Sequence, residues 1–148
     1  MQTLILLGAT TGRCLRDLLE LRWERVDMAQ RVIRFNELSA LREVVVPMTA
    51  ELHAHLTELA KADSGSLVLP GLGRSNWTGV EQQFRKLMDQ VGLRGTGWRA
   101  LRVTFVNQIQ MASTTPGEVM AVLNHVKGSK SQSKLSLALV IAKLQPLM

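Results

Sequence analysis

The run Thr11-Gly12-Arg13-Cys14-Leu15-Arg16-Asp17-Leu18-Leu19-Glu20-Leu21-Arg22-Trp23 sets the helical frame for the rest of this 148-residue chain. Within it Leu15, Leu18, Leu19 and Trp23 recur at the three- and four-residue spacing of one helix face. Thr10, Thr11 and Gly12 break that helix from an earlier apolar stretch, Met1 to Ala9, which reads as the end of another helix. Beyond Trp23 the periodicity changes. Val32 to Phe35 and Glu43 to Val46 are rich in β-branched residues, are joined by a polar connection and stop at Pro47, which predicts a short antiparallel hairpin.

After the hairpin, helices return. Thr49 is placed to cap a helix whose buried stripe is Leu52, Leu56, Leu59 and Ala60. On that helix His53 and His55 project about 200° apart, so they cannot share a metal ion. Ser64 to Asn76, with Pro70, Gly71 and Gly73, reads as a loop with one small strand at Leu67 to Leu69. Thr78 and Glu81 have capping-box spacing, and Val80, Phe84, Leu87, Met88 and Val91 then trace the clearest amphipathic helix, which stops before Gly92. A further helix begins near Trp98, with Leu101, Phe105 and Ile109 on one face and Arg99 and Arg102 three residues apart on another. Thr115, Pro116 and Glu118 start the next, which runs to about His125 on Val119, Val122 and Leu123. A basic loop from Val126 to Lys134 follows, and then an apolar tail, 135–148, which reads as strand from the alternation of Leu135, Leu137 and Leu139 or, the favoured reading, as helix from the length of the run Leu137 to Leu144. The expected fold class is mainly α with a small antiparallel β-hairpin or three-stranded sheet (α+β), in one domain spanning 1–148.

Hydrophobic residues make up 46% of the chain and charged residues 20%, with 11 Gly and 4 Pro. That is the composition of a globular domain and excludes a disordered or fibrous segment. The net charge of +6 is unevenly spread. Met1 to Asp63 hold 8 basic and 9 acidic residues, a net of −1, whereas Ser64 to Met148 hold 10 and 3, a net of +7. Any attraction for a polyanion therefore belongs to the basic half, 64–148. The single cysteine, Cys14, excludes an internal disulfide framework and fits a reducing, cytoplasmic setting. The run Leu4 to Leu7 has no basic residue before it, and Leu135 to Leu144 is interrupted by Lys143 and far shorter than the ~20 residues of a membrane span. No membrane segment, no metal site and no cofactor is expected. The chain also contains no tyrosine.

Three local motifs, in order, resemble the catalytic domain of the tyrosine recombinases, the phage integrase family. The family's TGxRxxELLxLRW is met by Thr11 to Trp23, its HxLRHTF by Arg99, Ala100, Leu101, Arg102, Val103, Thr104 and Phe105, and its LGHxS by Leu123, Asn124 and His125. Val46, Pro47 and Met48 follow the hairpin as the family's VPL does, so the resemblance covers nearly the whole chain. It starts inside what would be the second helix of that domain. The resemblance thus implies a degenerate, N-terminally truncated version, without the family's first helix and its separate N-terminal clamp domain.

The resemblance implies phosphodiester exchange through a covalent 3′-phosphotyrosine, with two arginines clamping the scissile phosphate, a hairpin lysine protonating the leaving oxygen and histidines assisting. A phosphate gaining charge in the transition state needs fixed cations, and the attacking hydroxyl needs an in-line position. Here the first clamp arginine falls on Cys14, with Arg13 one place early; one residue is a turn of about 100° around a helix, so the neighbour does not simply substitute. The hairpin lysine falls near Ser39, and no lysine precedes Lys61. The first histidine of HxLR is Arg99. Arg102 and His125 survive as remnants of an incomplete catalytic site, and the nucleophile position falls on Lys134 or Leu135.

Arg13, Arg99, Arg102, His125, Lys127 and Lys130 are the candidate DNA-binding residues, with double-stranded DNA as the expected partner. Alternatives stand beside them: ordinary surface arginines, a histidine satisfied by a local backbone group, and a solvated loop for Lys127, Lys130 and Lys134. Trp98, beside Arg99, is the one tryptophan placed to stack on a base, and Trp23 is expected in the core. Cys14, Ser131 and Ser133 are weak substitutes for the nucleophile. The apolar tail could pack on its own domain, on a second copy or on a recombinase partner. The expected function is DNA binding by an integrase-like domain that lacks strand transfer; an active recombinase fragment and an interaction domain without DNA binding are the alternatives.

Overall fold

A computed structural model of the chain describes residues 1–37, 42–62, 65–72 and 76–112. The helix expected from Thr115, the basic loop, the 135–148 tail and Ser39 all lie outside the described residues.

Helix α1 (Gln2–Thr11) buries Leu4, Ile5, Leu7, Gly8, Ala9, Thr10 and Thr11. It is apolar nearly all round because α2 (Leu15–Leu19), α3 (Ala50–Ala62) and α5 (Arg99–Ala112) all pack against it. The break expected at Thr10 comes two residues later. Both threonine hydroxyls donate back into the helix, to the Leu6 and Leu7 carbonyls at 2.7 Å each, and satisfy themselves without interrupting it. Gly12, at φ 63°, then ends α1 in the left-handed conformation with its N–H on the Gly8 carbonyl.

The second helix is shorter than its periodicity predicts. It stops at Leu19, and Trp23 to Arg25 form a 3-10 turn, since the Trp23 N–H donates to the Ser66 carbonyl and the Val68 N–H to the Leu21 carbonyl. Trp23 is accordingly half-buried against the core and not inside it. The strand expected at Leu67 to Leu69 is reduced to a single bridge between Leu67 and Arg22.

The hairpin forms and gains a third strand. β1 (Val26–Asp27), β2 (Val32–Glu37) and β3 (Arg42–Pro47) make an antiparallel sheet in that order. The Met48 N–H donates to the Arg31 carbonyl at 2.7 Å, which makes Ile33 with Val46 and Phe35 with Val44 the hydrogen-bonded pairs. Pro47 opposite Val32 is then a non-bonded pair, so its missing N–H costs the ladder nothing. Ile33, Phe35 and Val46 face the core, while Asn36, Glu43 and Val45 face solvent.

Thr49 caps α3 as expected, its Oγ1 accepting from the Leu52 N–H at 3.2 Å. Leu52 and Leu56 are buried, but Ala60 is exposed. Helix α4 (Trp77–Gln90) buries Val80, Phe84 and Met88 at the predicted spacing. Its capping box does not form: the helix begins two residues early with Asn76 at the cap, and Glu81 pairs forward with Arg85 at 3.0 Å. At the other end Gly92 (φ 78°) closes a Schellman turn, with Leu93 N–H on the Met88 carbonyl and Gly92 N–H on that of Asp89.

The seam between α1 and α5 brings the two motif-bearing segments together. A Cβ on Gly8 would lie 2.4 Å from the Trp98 ring and 3.2 Å from Leu101, and one on Gly12 would lie 2.2 Å from the Phe105 ring. Glycine inside a helix costs about 0.5–1 kcal/mol. The burial of Trp98 and Leu101, 5% and 2% exposed, contributes about 1.5–3 kcal/mol each and outweighs it.

Candidate nucleic-acid interface

Arg13 follows the Gly12 turn and points inward. It is 7% exposed, its guanidinium carbon lies 5.0 Å from the centre of the Phe35 ring, and its Nε is 3.5 Å from Asp17 Oδ2. The charge is thus held between a sheet aromatic and the carboxylate one helical turn ahead, inside the molecule. Sequence spacing contained the second contact, an i,i+4 pair, but not the first.

Cys14 is half-buried at the start of α2. Burial pushes its thiol above the ordinary 9.0, and the Asp17 carboxylate acts in the same direction. An activated cysteine needs the opposite environment, electropositive and open to solvent. The environment of Cys14 thus favours the neutral thiol.

On α5, Arg99 is exposed at the first turn and Arg102 is half-buried one turn on. Phe105, three residues beyond Arg102, rests on Gly12, so the Arg102 turn of α5 lies alongside the α1 end that carries Arg13 and Cys14. Trp98 is not available for stacking on a base: it is buried edge-on to Phe84, ring centres 5.1 Å apart. Trp77, half-buried, carries the Arg16 guanidinium 4.8 Å above its ring. His125, Lys127, Lys130 and Lys134 lie outside the described residues.

The histidines of α3 point apart, as their spacing requires. His53 Nε2 is 3.1 Å from the Met28 carbonyl and His55 Nε2 is 2.8 Å from the Thr3 hydroxyl. Among the described residues no group of three His, Cys, Asp or Glu could hold a metal ion, and no helix is long and apolar enough to cross a membrane. A cleft of about 480 Å³ opens between α2 and β2, walled by Asp17, Glu20, Glu24, Arg22, Arg25 and Arg34. Its acids and bases are equal in number, so it presents no net charge to a polyanion. Arg25 and Arg34 also share one carboxylate, Glu43, at 3.0 and 3.4 Å.

Five described helices around a three-stranded antiparallel sheet, with the Thr11-Gly12 turn set against the Arg102 helix, have the fold of a tyrosine recombinase catalytic domain. In three dimensions the chain is similar to XerA recombinase, in its crystal structure, with a TM-score of 0.70 at 16% identity over 98% of this chain and 55% of that one. It is similar also to the Tn1549 transposon integrase in complex with a circular intermediate DNA, with a TM-score of 0.67 at 14% identity over 95% and 52% of the two chains. The same integrase in complex with transposon right end DNA gives 0.64 at 14% over 98% and 58%. The chain spans little more than half the length of these solved chains. No family model and no curated protein matches its sequence.

Proposed function

We propose that this chain is a DNA-binding, integrase-like domain of the tyrosine recombinase kind that grips duplex DNA by its backbone and does not transfer strands. The observation that carries the reading is a recombinase fold on 148 residues without one tyrosine. By the resemblance the reaction also wants a clamp cation at Cys14 and a hairpin lysine near Ser39. Loss of one preorganised donor alone costs about 10²–10³ in rate, and here a cation, an acid and the nucleophile are missing together. Arg99 and Arg102 contact phosphate, with His125, Lys127 and Lys130 beside them, and Arg13 supports the site from behind. The domain acts in the cytoplasm, and its apolar 135–148 tail associates with a second copy or with an intact recombinase.

Incubation of the chain with nicked suicide duplexes is expected to give no covalent protein–DNA adduct; one adduct overturns the inactive reading. Duplex binding is expected to weaken with salt at a log–log slope of about −0.9 per phosphate contacted, near −3.6 for four contacts, and Arg102→Ala should remove one contact's share. Absence of binding at low salt would leave the tail-mediated association as the better reading.

A further inference from the structure

Of the ten basic residues in 64–148, five fall between Glu81 and Arg102, where there are only two acidic residues, Glu81 and Asp89. Arg85, Lys86, Arg94, Arg99 and Arg102 thus concentrate a net +3 on the second half of α4, its exit turn and the first turn of α5. Neither Arg85 nor Arg94 belongs to a family motif.

Arg85 is held in place from two sides. Its Nη2 donates to Glu81 Oε1 at 3.0 Å, and a Cβ on Gly97 would lie only 2.8 Å from that same Nη2 and 3.1 Å from the guanidinium carbon. The guanidinium therefore lies across the Gly97 backbone, and its side chain is still 53% exposed. The Glu81 bond engages one of five donors in the fork, which leaves the others for an anion. The intervening chain is short and folded on itself, by the Schellman turn at Gly92 and by the Thr96 N–H on the Leu93 carbonyl. Chain length alone limits the Cα of Arg99 to about 7 Å, and that of Arg94 to about 11 Å, from Gly97.

We infer that Arg85 and Arg94 extend the DNA surface beyond the motif arginines, taking backbone phosphates that flank those held by Arg99 and Arg102, with Gly97 as the seat that fixes the Arg85 guanidinium. The inference rests on the DNA-binding reading above. Its partner is duplex DNA of any sequence, because a guanidinium fork on phosphate reads charge and geometry and not bases. A role for Arg85 confined to pairing with Glu81 along the helix predicts no effect on DNA binding at all.

The test is binding of the full chain to two labelled duplexes of unrelated sequence, titrated over a series of salt concentrations. Arg85→Gln and Arg94→Ala are each expected to flatten the log–log slope by about 0.9 and to weaken binding to both duplexes alike. Gly97→Ala keeps every charge and has only a flexible side-chain end to displace, so it should flatten the slope as Arg85→Gln does, with an unchanged thermal midpoint. Lys61→Ala, a charge lost from α3, should leave the slope alone. If Arg102→Ala flattens the slope while Arg85→Gln, Arg94→Ala and Gly97→Ala do not, the extension is wrong and the DNA-binding reading stands. If the unaltered chain binds neither duplex at low salt, that reading fails and the extension with it.

Discussion

Arginines of the first half of the chain are engaged by its aromatic rings and carboxylates more fully than those of the α4–α5 segment. In the first half Arg13 lies on Phe35 beside Asp17, Arg16 lies on Trp77, and Arg25 and Arg34 divide Glu43 between them. In the α4–α5 segment five cations stand among two carboxylates, and Arg85, Lys86, Arg94 and Arg99 are exposed. Arg13 stands in the best-matched motif and is buried, whereas Arg85 and Arg94 stand in none and are exposed. Membership of a motif is therefore no guide by itself to whether an arginine faces solvent.

Four measurements bear on that contrast. Gly12→Ala should do the most damage, because it forces a side chain into the left-handed region and into the Phe105 ring at the seam joining the two regions. The expected loss is about 2–5 kcal/mol, about 1–2 from the backbone and the rest from overpacking, read by urea unfolding. An unchanged midpoint would mean that the seam does not tie them together. Arg13→Met keeps the bulk on Phe35 but removes the charge, and should cost about 1–2 kcal/mol while leaving the salt slope of DNA binding untouched. A flattened slope would show that Arg13 reaches phosphate after all and would erase the contrast.

Cys14 tests the buried side of the comparison through pH. Its thiol is held protonated above the ordinary 9.0, so alkylation should be slow at neutral pH and accelerate only beyond that value. Because the folded chain keeps this proton longer than the unfolded one, the associated stability is full below 9.0 and is lost as pH rises through the higher folded value. Rapid labelling at pH 7 would contradict the buried environment. The smallest effect is expected from Glu58→Gln, which breaks an exposed i,i+3 pair with Lys61; less than about 1 kcal/mol should be lost.

Elements that needed only one face were legible in the sequence. The α4 stripe Val80, Phe84 and Met88, the hairpin alternation and the Thr49 cap all depend on residues a few places apart. Elements decided by distant partners were not. The early end of α2 follows from hydrogen bonds to Ser66 and Val68, more than forty residues on, and Trp98 is withdrawn from the surface by Phe84 and Gly8. In the site, the exposure of Arg99 followed from helical phase. The burial of Arg13 did not, since Phe35 lies on a strand whose approach no spacing announces. Arg85 went unmarked because its second contact, Gly97, is a glycine whose value lies in the side chain it lacks.

The pairing of Pro47 with Val32 also bears on what the sheet refuses. Because that pair is non-bonded, the backbone groups of Pro47, Val45 and Glu43 point away from β2, along the free margin of β3. Val44, Val45 and Val46 would otherwise invite another chain to join there. An incoming strand would find the Pro47 ring in place of a donor at one end of that margin. On that margin Pro47 presents one donor fewer than a strand of six ordinary residues would, so the hairpin carries part of its own terminus in the hydrogen-bonding direction.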